Sequence, residues 1–363
     1  MMHKTPSTTL TLFIIAILFA ACGGNSNTST KRTLPHSIGN MGELVVAADG
    51  KLFEGTMREV LDSVLDVPQP YFFNIEGFFR IKDTRPALFQ EVTKSYHTLW
   101  IVKVEGDNFD TRTLPAPFNI LSDSLRRIND TLPVRTYLKK NIWAYPQQVL
   151  FIYAKSHKDL YDYFFYNKKM LLSQTLKMEM ESNIIKMEAE KQDTISRFLG
   201  DKFGFSLAVP QKFRIAKYEE TSNKRKFAWI RRETPNIGQS IIVYTQPYTD
   251  TLQLVPEEIV LSRDSVTEMH IPGGVEGSFM TTELSFPFYN NVMEFAGMYA
   301  VQMRALWRTE NDFMGGPFYS ITMVDTKHKQ LLTVEGFVYC PRYDKTQYIR
   351  QLEAIIKTFK WVD

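Results

Sequence analysis

Cys22 is the residue whose type and setting promise the most definite chemistry in this sequence of 363 residues. It follows Leu18-Phe19-Ala20-Ala21, and ahead of these lie Lys4 and the apolar stretch from Leu10 to Ala20. A basic start, an apolar core of about ten residues and small residues before a cleavage point make a secretory signal, and a cysteine at that point makes it a lipobox. The stretch is too short to cross a hydrocarbon core of ~30 Å as a helix. Small Ala20 and Ala21 let a signal peptidase reach the bond before Cys22, although Phe19 stands where such boxes usually carry Leu. The expectation is a mature chain that starts at Cys22 and carries fatty acyl (palmitate) groups there.

Gly23 to Thr30 are small, polar and uncharged, as suits a flexible tether. No acidic residue lies among them, so neither an acidic surface-export cluster nor an Asp retention signal follows the cysteine. The expected address is the periplasmic face of the cell outer membrane, held by lipid.

The second candidate chemistry lies around Trp307. Strand alternation puts Met303, Ala305 and Trp307 on one face and Gln302, Arg304, Leu306, Arg308 and Glu310 on the other. Arg304 and Arg308, with Trp307, form the candidate binding group, because two guanidiniums on one face can hold a carboxylate or phosphate. The alternative is pairing with acids of the protein itself, such as Glu310 or Glu283.

Other chemistries lack their residues. The six histidines stand far apart in sequence, and HExxH and paired-cysteine spacings are missing, so no metal or cofactor is expected. There is no GxSxG elbow, Walker loop or GxGxxG after a strand. Acid pairs such as Glu219-Glu220 and Glu257-Glu258 sit in charged segments and read as solvated faces. With Cys22 lipidated, Cys340 has no partner and reads as a small buried hydrophobe at a strand end. Against 40 acidic residues stand 43 Lys and Arg, too even a balance for a nucleic-acid binder.

The elements that must position these residues fall into two halves. Residues 1–21 are the signal and 22–40 the tether. Residues 41–155 alternate strands (Glu43–Ala48, Tyr71–Arg80, Thr98–Val104, Ile142–Ala154) with helices (Glu54–Asp66, Pro86–Ser95, Phe118–Asn129), the pattern of a layered α/β domain. Ser156 and Asp159 open a long connecting helix over 156–200, with a break expected near Gln192-Asp193. Residues 201–363 are dominated by alternating strands, with helices at Pro256–Met269 and Thr346–Phe359, which predicts an antiparallel sheet carrying helices. The fold class is α+β.

Two resemblances follow. Phe203–Pro210, the strand pair Phe318–Tyr339 and the ending Val338-Tyr339-Cys340-Pro341 before an amphipathic helix resemble the photosystem PsbP-like α-β-α sandwich. The strings Ile271 to Ser278, Arg304 to Arg308 and Met314 to Phe318 resemble a Bacteroidetes lipoprotein family, the domain-of-unknown-function 4837 group. The first implies a fold and an accessory role, the second an address, and neither supplies a catalytic residue. The expected function is a non-catalytic binding or envelope-assembly module with a periplasmic or outer-membrane protein partner. The alternative is an enzyme acting on envelope carbohydrate or peptide through carboxylates that spacing does not reveal.

Overall fold

The computed structural model describes residues 33–107, 132–223 and 225–362. The signal, Cys22 and the expected helix Phe118–Asn129 lie outside the described residues.

The first half is built on a five-stranded sheet in the order β2-β1-β3-β5-β4. Its strands are β1 (Glu43–Ala47), β2 (Arg80–Thr84), β3 (Thr98–Val104), β4 (Val134–Lys140) and β5 (Gln148–Ala154). All neighbours run parallel except β4 against β5. A sheet of this kind is covered on both faces, so its central strands are continuously apolar. Leu44 and Val46 point to one side with Trp100, Val102, Leu150 and Ile152, and pack on α1 (Gly55–Leu65). Val45, Ala47, Leu99, Ile101, Val149 and Phe151 point to the other, towards Phe89. A short α2 (Glu91–Lys94) precedes β3.

The expected strand Tyr71–Arg80 is instead a looped excursion that becomes strand only at Arg80. Local bonds explain it: Gln69 N–H donates to Glu76 O at 2.8 Å and Phe78 N–H to Val67 O at 3.0 Å. Asp66 closes the turn, since a Cβ at Gly77 would lie 1.7 Å from its Oδ1.

The expected long helix is three: α3 (His157–Tyr166), α4 (Lys168–Glu190) and α5 (Asp193–Phe203). Ser156 caps α3 as read from sequence, accepting from Asp159 N–H. Asn167 ends it by donating its side-chain amide to Tyr163 O at 2.9 Å. The second break sits at Gln192, whose side chain donates to Pro210 O and Phe213 O at 2.8 and 3.1 Å. These bonds turn the chain into the second half.

There the strands form an eight-stranded antiparallel sheet, β10-β12-β13-β14-β9-β8-β7, with β11 also paired to β12. They are β7 (Arg214–Glu220), β8 (Lys226–Thr234), β9 (Ile237–Pro247), β10 (Phe279–Thr282), β11 (Tyr289–Phe295), β12 (Met298–Glu310), β13 (Gly315–Asp325) and β14 (Gln330–Tyr339). A two-stranded ribbon joins β6 (Phe205–Ser206) to β15 (Lys360–Trp361). Period-two alternation sends Ile241, Val243, Ile321, Met323, Leu332 and Val334 to one face, under α5 and α7 (Thr346–Ile356). It sends Ile242, Tyr244, Met303, Trp307, Phe318 and Phe337 to the other, under α6 (Pro256–His270). The molecule is thus α+β, and Cys340 is a buried free thiol at the end of β14.

The two halves share Leu34–Asp363 as one compact unit. Tyr71, Phe72 and Met187 enter the core beneath α7. Glu76 of the looped excursion accepts the N–H groups of Lys345 and Thr346 at 2.7 and 2.9 Å. A first-half carboxylate therefore caps the N-terminus of α7, where helix dipole and unpaired donors favour negative charge.

Candidate functional site: a cleft between the halves

Two clefts of about 370 and 590 Å³ lie along the junction. The larger has four kinds of wall, each set by its element's period. On α4, Lys177, Met180, Glu181 and Ile184 stand three and four residues apart, so they share a face. On β12, Gln302 and Arg304 alternate onto the same side. On α7, Arg350 and Glu353 recur at helical spacing along the floor, followed by Lys357 at the helix C-cap. Tyr289, Asn290 and Asn291 of β11 form the rim, and Gln69, Tyr71 and Phe78 close one end.

The charges of the floor neutralise one another in pairs. Arg304 donates through both terminal nitrogens to the Glu353 carboxylate, one contact being 2.9 Å and the other shorter. Its guanidinium also lies 5.5 Å from the centre of the Tyr71 ring and 4.7 Å from that of Tyr319, positions in which ring quadrupoles attract a cation. Burial opposes the charge on Glu353, but Arg304 outweighs it and holds the carboxyl below its ordinary range. Arg350 bridges Glu179 and the carbonyl of Phe78, and Glu179 also accepts Gly42 N–H. Burial pushes the Glu179 carboxyl up while Arg350 pulls it down, and burial prevails. Glu181 at the rim pairs with Lys140 at 2.6 Å.

Lys357 differs. No carboxylate bridges its ammonium among the described residues, and burial lowers its pKa, Glu353 opposing and Arg304 adding to the shift. What the cleft offers a ligand is therefore this ammonium and that of Lys177, also without a carboxylate bridge among the described residues, the carboxamides of Asn290, Asn291 and Gln302, two tyrosines and the apolar side chains of α4.

Of the residues singled out from sequence, only Arg304 belongs here. Trp307 is 1% exposed, lies on the opposite face of β12 and donates its indole N–H to Val338 O at 3.2 Å. That makes it a core residue with no surface to bind through. Arg308 points to the Arg304 side but pairs with Glu310, and more loosely with Glu283 at 3.7 Å. Both arginines thus take the internal-pairing alternative. Gly316 next to Trp307 is demanded by packing, because a Cβ there would meet Val338 O at 2.0 Å.

The two arginines should differ sharply on substitution. Arg308→Ala removes an exposed pair and should change stability by less than about 1 kcal/mol. Arg304→Ala strands a buried Glu353, 6% exposed, and should cost about 3 kcal/mol or more. Urea denaturation of the two variants measures this; equal losses would mean that the Glu353 contact carries no weight.

Sequence reasoning missed Glu179, Arg350, Glu353 and Lys357. The signal was faint but present: each is a charge flanking the apolar stripe of an otherwise amphipathic helix, where snorkelling to solvent is the usual outcome. Among the described residues no group of three His, Cys, Asp or Glu could hold a metal ion.

Comparison with known proteins places both halves. Residues 191–358 match a domain of unknown function (DUF4837), and residues 37–188 match another (DUF8532). The two matches meet at the break between α4 and α5. No curated protein matches the chain. Among solved structures, a mutant of protein Mog1 is similar at 12% identity over 44% of this chain and 92% of that one, with a TM-score of 0.27.

Proposed function

We propose that this protein is a non-catalytic binding module of the cell envelope, held by lipid on Cys22 at the periplasmic face of the outer membrane and engaging a protein partner through the junction cleft. The observation that carries the binding reading is the pairing of the cleft's charges. General acid and base catalysis needs a carboxyl free to exchange protons, whereas Glu179 and Glu353 are each locked to an arginine and Glu181 to Lys140. The envelope-directed enzyme would have to work through such groups, and it loses its best acids to structure. The resemblance of the second half to PsbP-like accessory proteins supports the same role. Anchorage is supported by the lipobox-like run from Leu18 to Cys22.

Two experiments test the proposal. In cells, wild-type protein should enter the detergent phase on phase partitioning and incorporate labelled fatty acid, while Cys22→Ala should stay uncleaved or soluble and unlabelled. Identical behaviour of the two would remove the anchor. For binding, Asn291→Trp fills the cleft from its rim without touching an ion pair. It should leave the melting temperature unchanged and abolish recovery of the partner; unimpaired recovery would place binding elsewhere.

A further inference from the structure

We infer that the outer edge of β11 is a docking rail for an extended segment of a partner protein, which adds a strand to the sheet and sets an acidic side chain against Lys357. This rests on the cleft being a binding site, and it names the ligand class.

The argument begins with how the sheet edges are protected. Unpaired edge strands invite pairing with other chains, and proteins blunt them with charge, bulges or brevity. Here β2 carries Arg80, Lys82 and Asp83, and β4 carries Arg135, Lys139 and Lys140. At one end of the larger sheet β7 carries Arg214, Lys217, Glu219 and Glu220, with a register shift between Ile215 and Lys217. At the other end β10 has only four residues. β11 has seven, pairs without a register shift, contains no Lys, Arg or Pro, and carries a single charge, Glu294 next to its last residue. Among the described residues it pairs with β12 alone. Tyr289 and Val292 are 42% and 57% exposed.

The hairpin fixes which groups are free. Ala296 and Gly297 form a two-residue turn with φ of 51° and 80°, closing on the pair Phe295 and Met298, as in the primed turns that favour a twisted hairpin. Phe295 is then a hydrogen-bonded position, and so are Met293 and Asn291 by alternation. Asn290, Val292 and Glu294 turn their N–H and C=O groups outward, and among the described residues none of these groups has a backbone partner. This is the arrangement that strand addition uses, backbone bonds giving affinity and adjacent pockets selecting side chains. The adjacent pocket is the cleft, where the ammonium groups of Lys357 and Lys177 have no carboxylate bridge among the described residues, so charge complementarity selects an acid.

The test is selection of random decapeptides on the detergent-solubilised full chain. Enriched peptides should alternate apolar and polar residues and carry Asp or Glu. Methylating alternate backbone amides should weaken them about tenfold or more, the consequence of losing one or two backbone hydrogen bonds. Val292→Pro should do the same at an unchanged melting temperature, because its N–H faces outward and no ladder bond is lost. Lys357→Gln should weaken only the acidic peptides. No enrichment, indifference to methylation, or undiminished binding to Val292→Pro would overturn the rail. So would a dimer of the wild type that Val292→Pro dissociates, because the occupant would then be a second copy. A partner crosslinked at the cleft in cells that survives Val292→Pro would remove the rail and leave the cleft as the binding site. Absence of any cleft partner in cells would remove the binding-site reading itself.

Discussion

Glu335→Ala is expected to lower the stability of the protein by about 3–5 kcal/mol, because it leaves a guanidinium buried without its counter-charge. Arg263 and Glu335 are 1% and 0% exposed. Arg263 donates from Nε and Nη2 to the two carboxylate oxygens, each at 2.8 Å, and from Nη1 to Thr282 Oγ1 at 3.1 Å. Its guanidinium carbon lies 4.1 Å from the centre of the Phe318 ring. One side chain thus ties α6 to β10, β13 and β14 on the sheet face away from the cleft. Replacing both partners by apolar residues, Arg263→Met with Glu335→Leu, removes the desolvation cost along with the attraction and should recover most of the loss. Urea midpoints of the single and double variants measure this, and a loss below about 1 kcal/mol in Glu335→Ala would contradict it.

Acid should destabilise the protein through His97. The ring is fully buried, with Nε2 3.0 Å from Asn40 O and Nδ1 2.8 Å from Thr98 Oγ1. This is the neutral tautomer that donates from Nε2 and accepts at Nδ1. Burial, with nearby Lys186 adding to it, pushes the pKa from 6.5 down to about 3. The unfolded chain therefore binds a proton between pH 6.5 and about 3 that the folded chain refuses. The stability contributed is fully present above 6.5 and is lost as pH falls towards 3, by about 1.4 kcal/mol per pH unit within that window. The raised carboxyl of Glu179 acts in the opposite sense, so the comparison is wild type against His97→Gln. The Gln variant keeps a donor for Asn40 and should show a flatter acid limb between pH 6 and 4; parallel limbs would mean that His97 titrates normally. Ile38 and Asn40 are bonded to His97 through backbone and ring, so this segment should loosen with the histidine.

Much of the scaffold was legible because burial imposes period. Glu43–Ala47, Thr98–Val104 and the two faces of β12 could be read from apolar runs and alternation. The residues 71–79 misled, because aromatic side chains there fill the core from a loop whose shape is set by Gln69, Asp66 and Gly77. β11 was invisible for the opposite reason: Tyr289-Asn290-Asn291-Val292 is largely exposed and has no buried face to alternate. The cleft could not be read at all. Arg304 could be placed on a face of its strand, but its partner Glu353 stands 49 residues away, and Glu179 and Arg350 meet across 171. Which acid neutralises which base is decided by tertiary packing, and side-chain spacing carries no record of it.

The binding role of the junction cleft is open to one direct measurement: photo-crosslinking in living cells from a photoreactive residue placed in turn at Asn291 on one wall, Met180 on the facing wall and Ala216 on the far edge strand β7. The expected result is one and the same discrete adduct from Asn291 and Met180 and none from Ala216. No adduct from either wall, or the same adduct from all three positions, would contradict a binding site between the two halves.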